Sequence, residues 1–391
     1  MSEKKRVLML ATTAAMIEQF NKNNIEILND MGYIVDVLGN WEKGNPISEQ
    51  RLSAFREWVR ARGGCCYNYP ATRNPLDIRK NNAAINEAVR LIREYQYEFI
   101  HCHNPIGAVI GRIAAHKTCT PVVYTAHGFH FYDGAPIKNW LLFYPVEKYL
   151  SRWTDSLVTI TLEDYKRAKE KFHSKRLYYI PGVGIDLDKY NQIESEKRDA
   201  GGIRAELGVL DNDFLIASVG ELNSNKNHQI VIRALANLPK DIQPHVHYVV
   251  AGKGNEEANL NKLAADLKIA NRVHILGYRD DIREILNATD LYAFPSKREG
   301  LSVSLMEAMA MGLPVVCSKI RGNVDLIDQG KGGFLVDSNS DEEWAKAIRA
   351  ILTGGDTKEY GKYNSDKVNL FTKEVVNDKM KKIYQDCVLS K

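Results

Sequence analysis

Short apolar segments alternate with amphipathic segments along almost the whole chain. Residues 6–11 are apolar, and residues 17–32 have apolar side chains near helical spacing. Further apolar segments occupy residues 99–103 and 121–127, each followed by a helical pattern. Because strands buried on both faces of a parallel sheet are apolar throughout, whereas the covering helices are apolar on one side, this alternation predicts an α/β fold with parallel strands.

A polar and charged stretch at residues 184–208 interrupts the alternation, which restarts at residue 213. A chain of 391 residues is also long for one domain. We therefore expect two doubly wound, Rossmann-like domains at residues 1–185 and 186–370, and a last amphipathic helix at 371–391. Ligands of open parallel sheets bind beyond the carboxyl ends of the strands, so residues just after strands are the candidates for function.

Composition excludes several classes of protein. A content of 44% hydrophobic and 26% charged residues is that of a globular protein, not of a disordered chain, coiled coil or disulfide scaffold. The sequence contains no run of about 18 apolar residues, so it predicts no membrane-spanning helix. Six cysteines without a Cys-x-x-Cys pair indicate free thiols in a reducing compartment. We expect no zinc site at His101-Cys102-His103, because only the two histidines share a strand face.

The net charge of +4 is unevenly distributed and does not indicate nucleic acid. Residues 1–190 contain 26 Lys and Arg against 20 Asp and Glu, and residues 191–391 contain 27 against 29. Nine basic residues against three acidic ones lie between Arg51 and Arg93. This region is either a solvated helical face or a contact with an anionic surface or acceptor.

The beginning of the chain has some features of a secretory signal. Lys4-Lys5-Arg6 precedes an apolar segment, but two threonines interrupt it and Glu18-Gln19 follows at once. A buried first strand explains this pattern better than a signal peptide does. We expect a cytoplasmic protein.

The most informative segment is PSKREGLSVSLMEAMAMGLPVV at residues 295–316, where a strand leads through a polar loop into a helix. Glu299 lies in the loop and Glu307 lies eight residues later in the helix. Gly300 permits close approach of the backbone to a ligand. The amides of Leu301 and Ser302 at the helix start suit an anionic diphosphate.

Glu307 has two interpretations. Its carboxylate could accept two hydrogen bonds from a ribose diol. Alternatively, Ser304-x-x-Glu307 matches a capping box, in which Glu307 would only stabilise the start of the helix.

Residues 295–316 resemble the E-x7-E signature of the retaining glycosyltransferases of family 4. Three further segments resemble the family in the expected order, and together they cover most of residues 95–355. These segments are SVGEL at 218–222 with NKN at 225–227, AGKGN at 251–255, and IPGVGID at 180–186. The resemblance implies the GT-B fold, with two Rossmann-like domains facing a central cleft and the C-terminal helix returning to the N-domain.

The resemblance implies donor-binding roles in the C-domain. Lys226 would neutralise the donor diphosphate, unless it is a solvated lysine at a helix start. Glu307 would bind the ribose and Glu299 would lie near the sugar hydroxyls. Gly300, Leu301 and Ser302 would offer backbone amides to the donor. Tyr278 and Arg279 would flank its base, and Gly220 is a further donor-binding position.

This chain departs from the family pattern at two places. Glu221 stands where the family often has an arginine that binds the phosphates, and Arg298 is a candidate to replace it. The N-terminal glycine-rich loop is absent, so Thr12 and Thr13 could supply hydroxyls or amides instead.

A second cluster lies at residues 124–134, where a strand leads into His127. His127 matches the family's N-domain histidine that faces the donor sugar, with a hydrogen-bonding role and not a metal-binding one. His130, His103 and Asn104 are further candidates to reach the cleft. For each histidine the alternative is a structural side chain with satisfied hydrogen bonds.

Residues 124–155 and 180–186 also resemble bacterial enzymes that build capsular polysaccharide, exopolysaccharide or O-antigen. This resemblance implies retaining transfer of a hexose or N-acetylhexosamine from a UDP-sugar to a polyprenyl-diphosphate-linked saccharide, without a cofactor or metal. The expected partners are the nucleotide sugar, the lipid-linked acceptor and the anionic inner face of the cell membrane, where the protein would be peripheral. Trp41 and Trp58 would be interfacial anchors.

Three other functions remain open from the sequence. A nucleotide-sugar epimerase can have the same two-domain fold. A non-catalytic sugar-binding protein with two lobes would normally be secreted. A scaffold subunit without catalysis would be compatible with Glu221.

Overall fold

The computed structural model describes residues 5–190, 202–337, 339–355 and 357–389. The chain divides into two compact units, of which unit 1 contains Met1–Val183 with Glu374–Lys391 and unit 2 contains Gly184–Lys373. The expected polar joint at 184–208 therefore begins where unit 2 begins, and its residues 191–201 lie outside the described residues.

Unit 1 contains a sheet of seven parallel strands in the order β3-β2-β1-β4-β5-β6-β7. The strands are β1 (Arg6–Thr13), β2 (Ile34–Asn40), β3 (Cys66–Asn68), β4 (Phe99–His103), β5 (Val122–Ala126), β6 (Ser156–Thr159) and β7 (Arg176–Tyr179). The helices between them are α1 (Ala14–Phe20), α2 (Lys22–Asp30), α3 (Glu49–Ala61), α4 (Ile78–Tyr95), α5 (Pro105–Thr118), α6 (Ile137–Ser151) and α7 (Leu162–Lys171).

Helices cover both faces of this sheet. Successive side chains of β1 point to opposite faces, and both sets are apolar. Val7 and Met9 pack into one apolar layer with α1, α2 and α3. Leu8 and Leu10 pack into the opposite layer with α4 and α5. The doubly wound arrangement predicted from the alternating pattern is confirmed.

Unit 2 contains a sheet of six parallel strands in the order β10-β9-β8-β11-β12-β13. The strands are β8 (Phe214–Val219), β9 (Val246–Ala251), β10 (Val273–Gly277), β11 (Leu291–Phe294), β12 (Val315–Ser318) and β13 (Gly333–Val336). The helices are α8 (Ile203–Glu206), α9 (Gln229–Ala236), α10 (Glu257–Asp266), α11 (Ile282–Asn287), α12 (Val303–Ala310), α13 (Asn323–Leu326), α14 (Asp341–Thr353) and α15 (Thr357–Val368).

The last helix, α16 (Lys373–Val388), packs on the sheet of unit 1. Met380 and Tyr384 are fully buried in the same layer as Val7 and Met9. The ring of Tyr384 stacks on Phe99 with centroids 5.6 Å apart. The C-terminal helix therefore completes the core that the first strand begins.

Two local expectations are wrong. Residues 17–32 do not form one helix, since α1 and α2 meet at Asn21, which is buried and whose side chain donates to the carbonyl of Met16. Trp41 is no interfacial anchor, because it is 6% exposed, stacks on Phe55 and donates from its ring nitrogen to the carbonyl of Tyr67.

Candidate active-site residues

In unit 1 the strand order reverses beside β1, which lies between β2 and β4. Thr12 is the last residue but one of β1 and is 2% exposed, and its hydroxyl donates to Oδ1 of Asn104 over 2.8 Å. The amide of Gly107 donates to the Thr12 hydroxyl over 3.0 Å. A Cβ at Gly107 would lie 2.8 Å from the Thr12 nitrogen, so glycine is required for this approach. The Thr12 hydroxyl thus joins the start of α5 to β1.

Thr13, like Thr12, belongs to the strand end and not to a loop. It is 2% exposed, and its hydroxyl has no hydrogen-bond partner among the described residues. The Thr13 hydroxyl, which was expected to help replace the glycine-rich loop, is therefore buried and does not cap helix α1.

Two histidines at neighbouring strand ends contact one another. His103 ends β4, and its Nδ1 lies 3.2 Å from Nε2 of His127, which follows β5. Burial lowers the pKa of His127 to about 4 and lowers the pKa of His103 well below its ordinary value. Both rings are therefore neutral at pH 7, so that one ring donates the shared hydrogen bond and the other accepts it.

His101 extends this buried polar network away from the sheet edge. Its Nε2 lies 2.8 Å from the hydroxyl of Thr125, and its Nδ1 lies 2.9 Å from the hydroxyl of Tyr384. Burial lowers the pKa of His101 to about 3. The thiol of Cys102 donates to the carbonyl of Val123. The side chains of His101 and Cys102 thus have protein partners.

A cavity of about 320 Å³ opens at this edge of the sheet. Its wall includes Thr12, Phe20, Arg73, Asn104 and His130. The Phe20 ring also contacts His127, with centroids 6.4 Å apart. The strand-end residues expected from the sequence therefore lie at or beside one cavity of unit 1.

In unit 2 the strand order reverses beside β8, and two loops meet there. Nζ of Lys226, in the loop after β8, lies 2.8 Å from Oε1 of Glu299, in the loop after β11. Nδ2 of Asn225 donates to the carbonyl of Arg298, and the amide of Lys297 donates to the carbonyl of Asn225. The structure therefore brings together the two loops that contain the predicted donor residues.

The helix after Gly300 begins with a cap that differs from the predicted one. Ser302 is the residue before α12, and its hydroxyl accepts from the amide of Leu305. The prediction of a capping box between Ser304 and Glu307 is therefore wrong. Oε1 of Glu307 instead accepts from the hydroxyl of Tyr190 over 2.9 Å. Burial raises the pKa of Glu307.

Glycines hold the backbone of both loops in close contact with their neighbours. A Cβ at Gly322, whose φ is +84°, would lie 1.8 Å from the carbonyl oxygen of Gly300. A Cβ at Gly252 would lie equally close, 1.8 Å, to the carbonyl oxygen of Gly220. Larger residues at either position would displace the loop that begins at the strand end.

Of three residues expected near the nucleotide, two are exposed and the third is paired with carboxylates. Tyr278 is 68% exposed, and Arg298 is also exposed. The guanidinium of Arg279 contacts Oε1 of Glu206 and Oδ1 of Asp281, each over 2.7 Å. Its charge is therefore already matched by two carboxylates.

Comparison with known proteins identifies the family. The model described as "Glycosyltransferase Family 4" matches residues 17–189, and the model described as "Glycosyl transferases group 1" matches residues 201–368. The "Putative glycosyltransferase EpsD" of Bacillus subtilis (strain 168) is 34% identical over 351 residues, covering 89% of this chain and 87% of that protein. The chain belongs to glycosyltransferase family 4.

Two further relatives of this family 4 glycosyltransferase are informative. The "UDP-Gal:alpha-D-GlcNAc-diphosphoundecaprenol alpha-1,3-galactosyltransferase" of Escherichia coli is 27% identical over 323 residues, covering 81% of this chain and 82% of that protein. The crystal structure of Anabaena HepE in complex with UDP and glucose matches with a TM-score of 0.74 at 21% identity, covering 97% and 99% of the two chains. The GT-B fold expected from the sequence is confirmed.

Tyr190 is the residue of the glycosyltransferase that sequence reasoning missed. It lies in the polar stretch after residue 184, where no hydrophobic periodicity indicates which residues are buried. Its partner Glu307 is 117 residues away. Phe294 ends β11, and its ring lies 5.0 Å from Nζ of Lys226, a contact that no local pattern predicts. No described helix is long and apolar enough to cross a bilayer.

Proposed function

We propose that this glycosyltransferase transfers a hexose or N-acetylhexosamine from a UDP-sugar, with retention, to a polyprenyl-diphosphate-linked saccharide. The product would serve bacterial surface polysaccharide synthesis, in capsule, exopolysaccharide or O-antigen. The observation that supports this function best is the contact between Lys226 and Glu299 at the strand-order reversal of unit 2. The name of the Escherichia coli relative joins a UDP-sugar donor to a diphosphoundecaprenol acceptor, which also favours the proposal.

Lys226 is proposed to stabilise the leaving diphosphate. Its ammonium lies at the strand edge between Glu299 and the face of Phe294, so it is held in place before a donor arrives. The amides at the start of α12 would add a second positive region for the same phosphates. These groups would neutralise the charge for which other transferases use a divalent metal, so we propose a metal-independent reaction.

The remaining donor contacts follow from the loops. Glu307 would bind the ribose hydroxyls, with Tyr190 orienting its carboxylate. Glu299 would bind sugar hydroxyls through the oxygen that Lys226 does not contact. The other proposed donor-binding positions are Gly220, Tyr278, Arg279, Arg298, Gly300, Leu301 and Ser302, and in unit 1 Thr12 and Thr13.

His127 is proposed to act on the donor sugar by hydrogen bonding. Since burial lowers its pKa to about 4, it would be neutral at the pH of the cell. A neutral ring can hydrogen-bond to a sugar hydroxyl but cannot serve as a permanent positive charge. His103 would orient the ring through its 3.2 Å contact.

The chemical step is proposed as a front-face displacement. The bond from the anomeric carbon to the phosphate oxygen breaks as the acceptor oxygen bonds to the same face of that carbon. The acceptor hydroxyl gives its proton to the departing phosphate, so the products are UDP and the lengthened saccharide. Lys226 acts by stabilising the negative charge that gathers on the phosphate.

The protein is proposed to work in the cytoplasm on the inner face of the membrane. The basic residues between Arg51 and Arg93 favour contact with anionic lipids. On α3, Arg56 lies 4.9 Å from the ring of Trp41, and Arg62, just after α3, lies 3.8 Å from the ring of Trp58. Flotation with anionic vesicles, compared with vesicles of neutral lipid, tests this contact. Loss of flotation after neutralising Arg56, Arg60 and Arg62 together is expected.

The function is tested by measuring UDP release with and without a lipid-linked acceptor. Lys226→Ala should lower kcat/KM about 10²-fold or more, because a preorganised charge at the leaving group is lost. Glu307→Gln should raise the KM for the UDP-sugar about 10-fold, because a charged hydrogen bond to ribose is lost. The exposed residues Lys346 and Glu342 of α14 provide matched controls, Lys346→Ala and Glu342→Gln.

Product analysis separates the alternatives. An epimerase would convert the UDP-sugar without releasing UDP, and a scaffold or sugar-binding protein would release none. Unchanged transfer by Lys226→Ala and Glu307→Gln would refute the donor site. Inversion at the anomeric carbon, read by NMR of the product, would refute the front-face step.

A further inference from the structure

Helix α6 of unit 1 leaves an apolar face uncovered. Ile137, Leu141 and Tyr149 are spaced four or eight residues apart, so they share one side of the helix, and they are 74%, 73% and 54% exposed. Leu142 and Val146 are also exposed, on the adjoining strip. A contiguous apolar face of this kind on a globular protein marks an interaction surface.

An apolar cavity of about 280 Å³ opens beside this face, between α4, α5 and α6. Its wall includes Ile78, Ile106, Val109, Ile113, Leu142 and Val146. Of these, Ile78, Leu142 and Val146 also belong to the exposed apolar surface. The cavity is thus a recess that enters unit 1 from the exposed apolar surface.

The one carboxylate in the wall is already neutralised. Glu147 is 6% exposed, and its Oε2 lies 2.9 Å from the guanidinium of Arg112, which is 1% exposed. Apart from Asn81 and Asn82, the described wall of the recess is therefore apolar and without uncompensated negative charge. Its natural occupant is an apolar chain.

The apolar recess adjoins the polar cavity at the sheet edge. Both cavities have Pro75, Pro105, Ile106 and Phe143 in their walls. Arg73 lies in the wall of the polar cavity, is exposed, and also lines a third cavity together with Lys43 and Lys80. The positive charge of Arg73 therefore lies in the wall of the cavity that adjoins the recess.

We propose that this recess binds the lipid of the acceptor, with its first isoprene units between α4, α5 and α6 and its diphosphate at Arg73. An apolar chain that ends in an anionic diphosphate is complementary to an apolar recess beside a cavity with a cation in its wall. The saccharide beyond the diphosphate then lies in the cavity that Thr12, Asn104 and His130 line. The inference rests on the proposed function for the identity of the acceptor.

Binding of farnesyl diphosphate tests the site without any sugar transfer. The wild-type protein should bind it at least 10-fold more tightly than inorganic diphosphate, in a calorimetric titration. Leu142→Gln and Arg73→Gln should each weaken this binding about 10-fold. Leu142 is 51% exposed and Arg73 is exposed, so both variants should fold. The controls Leu210→Gln, at a 68% exposed leucine of unit 2, and Arg93→Gln, near the end of α4, should bind as the wild type does.

Transfer assays separate failure of the site from failure of the proposed function. With a saccharide diphosphate on a long prenyl chain, Leu142→Gln should raise the acceptor KM about 10-fold, whereas a short-chain analogue should show no change. Prenyl diphosphate binding without any transfer would support the recess and refute the proposed function. Equal binding of farnesyl diphosphate and inorganic diphosphate would refute lipid binding in the recess. The proposal would also be refuted if the wild-type protein is a dimer and Leu142→Gln dissociates it without changing prenyl binding.

Discussion

The Nδ1 of His103 lies 3.2 Å from the Nε2 of His127, so two neutral histidines at neighbouring strand ends share one hydrogen bond. A ring that shares such a bond has a restrained orientation. His103 is buried, whereas His127 is half-buried and contacts Phe20 of the cavity wall. His103 is therefore a positioning residue for the proposed sugar contact of His127.

Removing each histidine should have a different effect on transfer. His127→Ala should lower kcat about 10²-fold, because a hydrogen bond to the reacting sugar is lost. His103→Ala should lower kcat about 10-fold with little change in the KM for the UDP-sugar, because the ring of His127 remains but is no longer oriented. His103→Gln, whose amide can still donate, should recover much of the loss. An equal loss of kcat in His103→Ala and His103→Gln would contradict the positioning role. His173→Ala, at an exposed histidine of unit 1, is the control.

Tyr190 should matter for donor binding although no sequence pattern indicates it. Tyr190→Phe removes the 2.9 Å hydrogen bond to Glu307 and nothing else of the ring. We expect the KM for the UDP-sugar to rise about 5-fold, since one hydrogen bond to a carboxylate is lost, with kcat little changed. Tyr360→Phe, at a ring that packs on Phe334 in the same unit, should leave both constants unchanged. A fall in kcat without any change in KM would show that Tyr190 serves another step.

The buried histidines make unit 1 less stable in acid. Their pKa values are lowered in the folded chain, to about 3 for His101 and about 4 for His127, against about 6.5 when unfolded. The unfolded chain therefore binds more protons below pH 6.5, and stability that is present above this pH is lost as the pH falls towards 4. One such histidine costs about 2 kcal/mol at pH 5.

Thermal unfolding at pH 7.5 and pH 5.0 measures this effect. The difference between the two melting temperatures should be smaller in His101→Gln than in the wild-type protein. His173→Gln, at the exposed histidine, should retain the full difference. An identical pH effect in all three proteins would show that other groups cause the acid sensitivity.

Met380 in α16 should be important for stability although it lies at the end of the chain. Its side chain is fully buried in unit 1, so Met380→Ala should lower the free energy of unfolding by about 2–5 kcal/mol. Lys381→Ala, at the exposed neighbouring position, should change it by less than about 0.5 kcal/mol. The measurement is denaturant unfolding followed by circular dichroism. A similar small change in the free energy of unfolding of both variants would mean that α16 contributes little to the stability of unit 1.

The strands and their carboxyl ends followed from the sequence where a local pattern determined them. Parallel strands such as β1 and β5 are buried along almost their whole length, and their carboxyl ends place Thr12 and His127 at the sheet edge. The loop around Glu299 was equally clear, because a strand, a glycine and a helix follow in order.

Contacts between distant segments could not be predicted in this way. The pairing of Lys226 with Glu299 joins residues 73 positions apart, and no local pattern encodes it. The burial of Trp41 depends on Phe55 and on the carbonyl of Tyr67, neither of which its own segment contains. An amphipathic helix also reveals only that one face is apolar, and α3 uses that face for the core of unit 1, as Leu52 and Val59 show.

The packing of α16 on the first strand has a consequence for the order of synthesis. A ribosome makes the whole of unit 2 after residue 183 and before the residues of α16. Domains that emerge first usually fold first, but unit 1 lacks Met380 and Tyr384 from its core until the residues of α16 have been made. The unit whose synthesis begins first is thus finished only after unit 2 has been made, and its apolar layer stays partly uncovered on the nascent chain. A chaperone that recognises apolar surface would therefore find its target in the N-terminal unit until α16 has emerged.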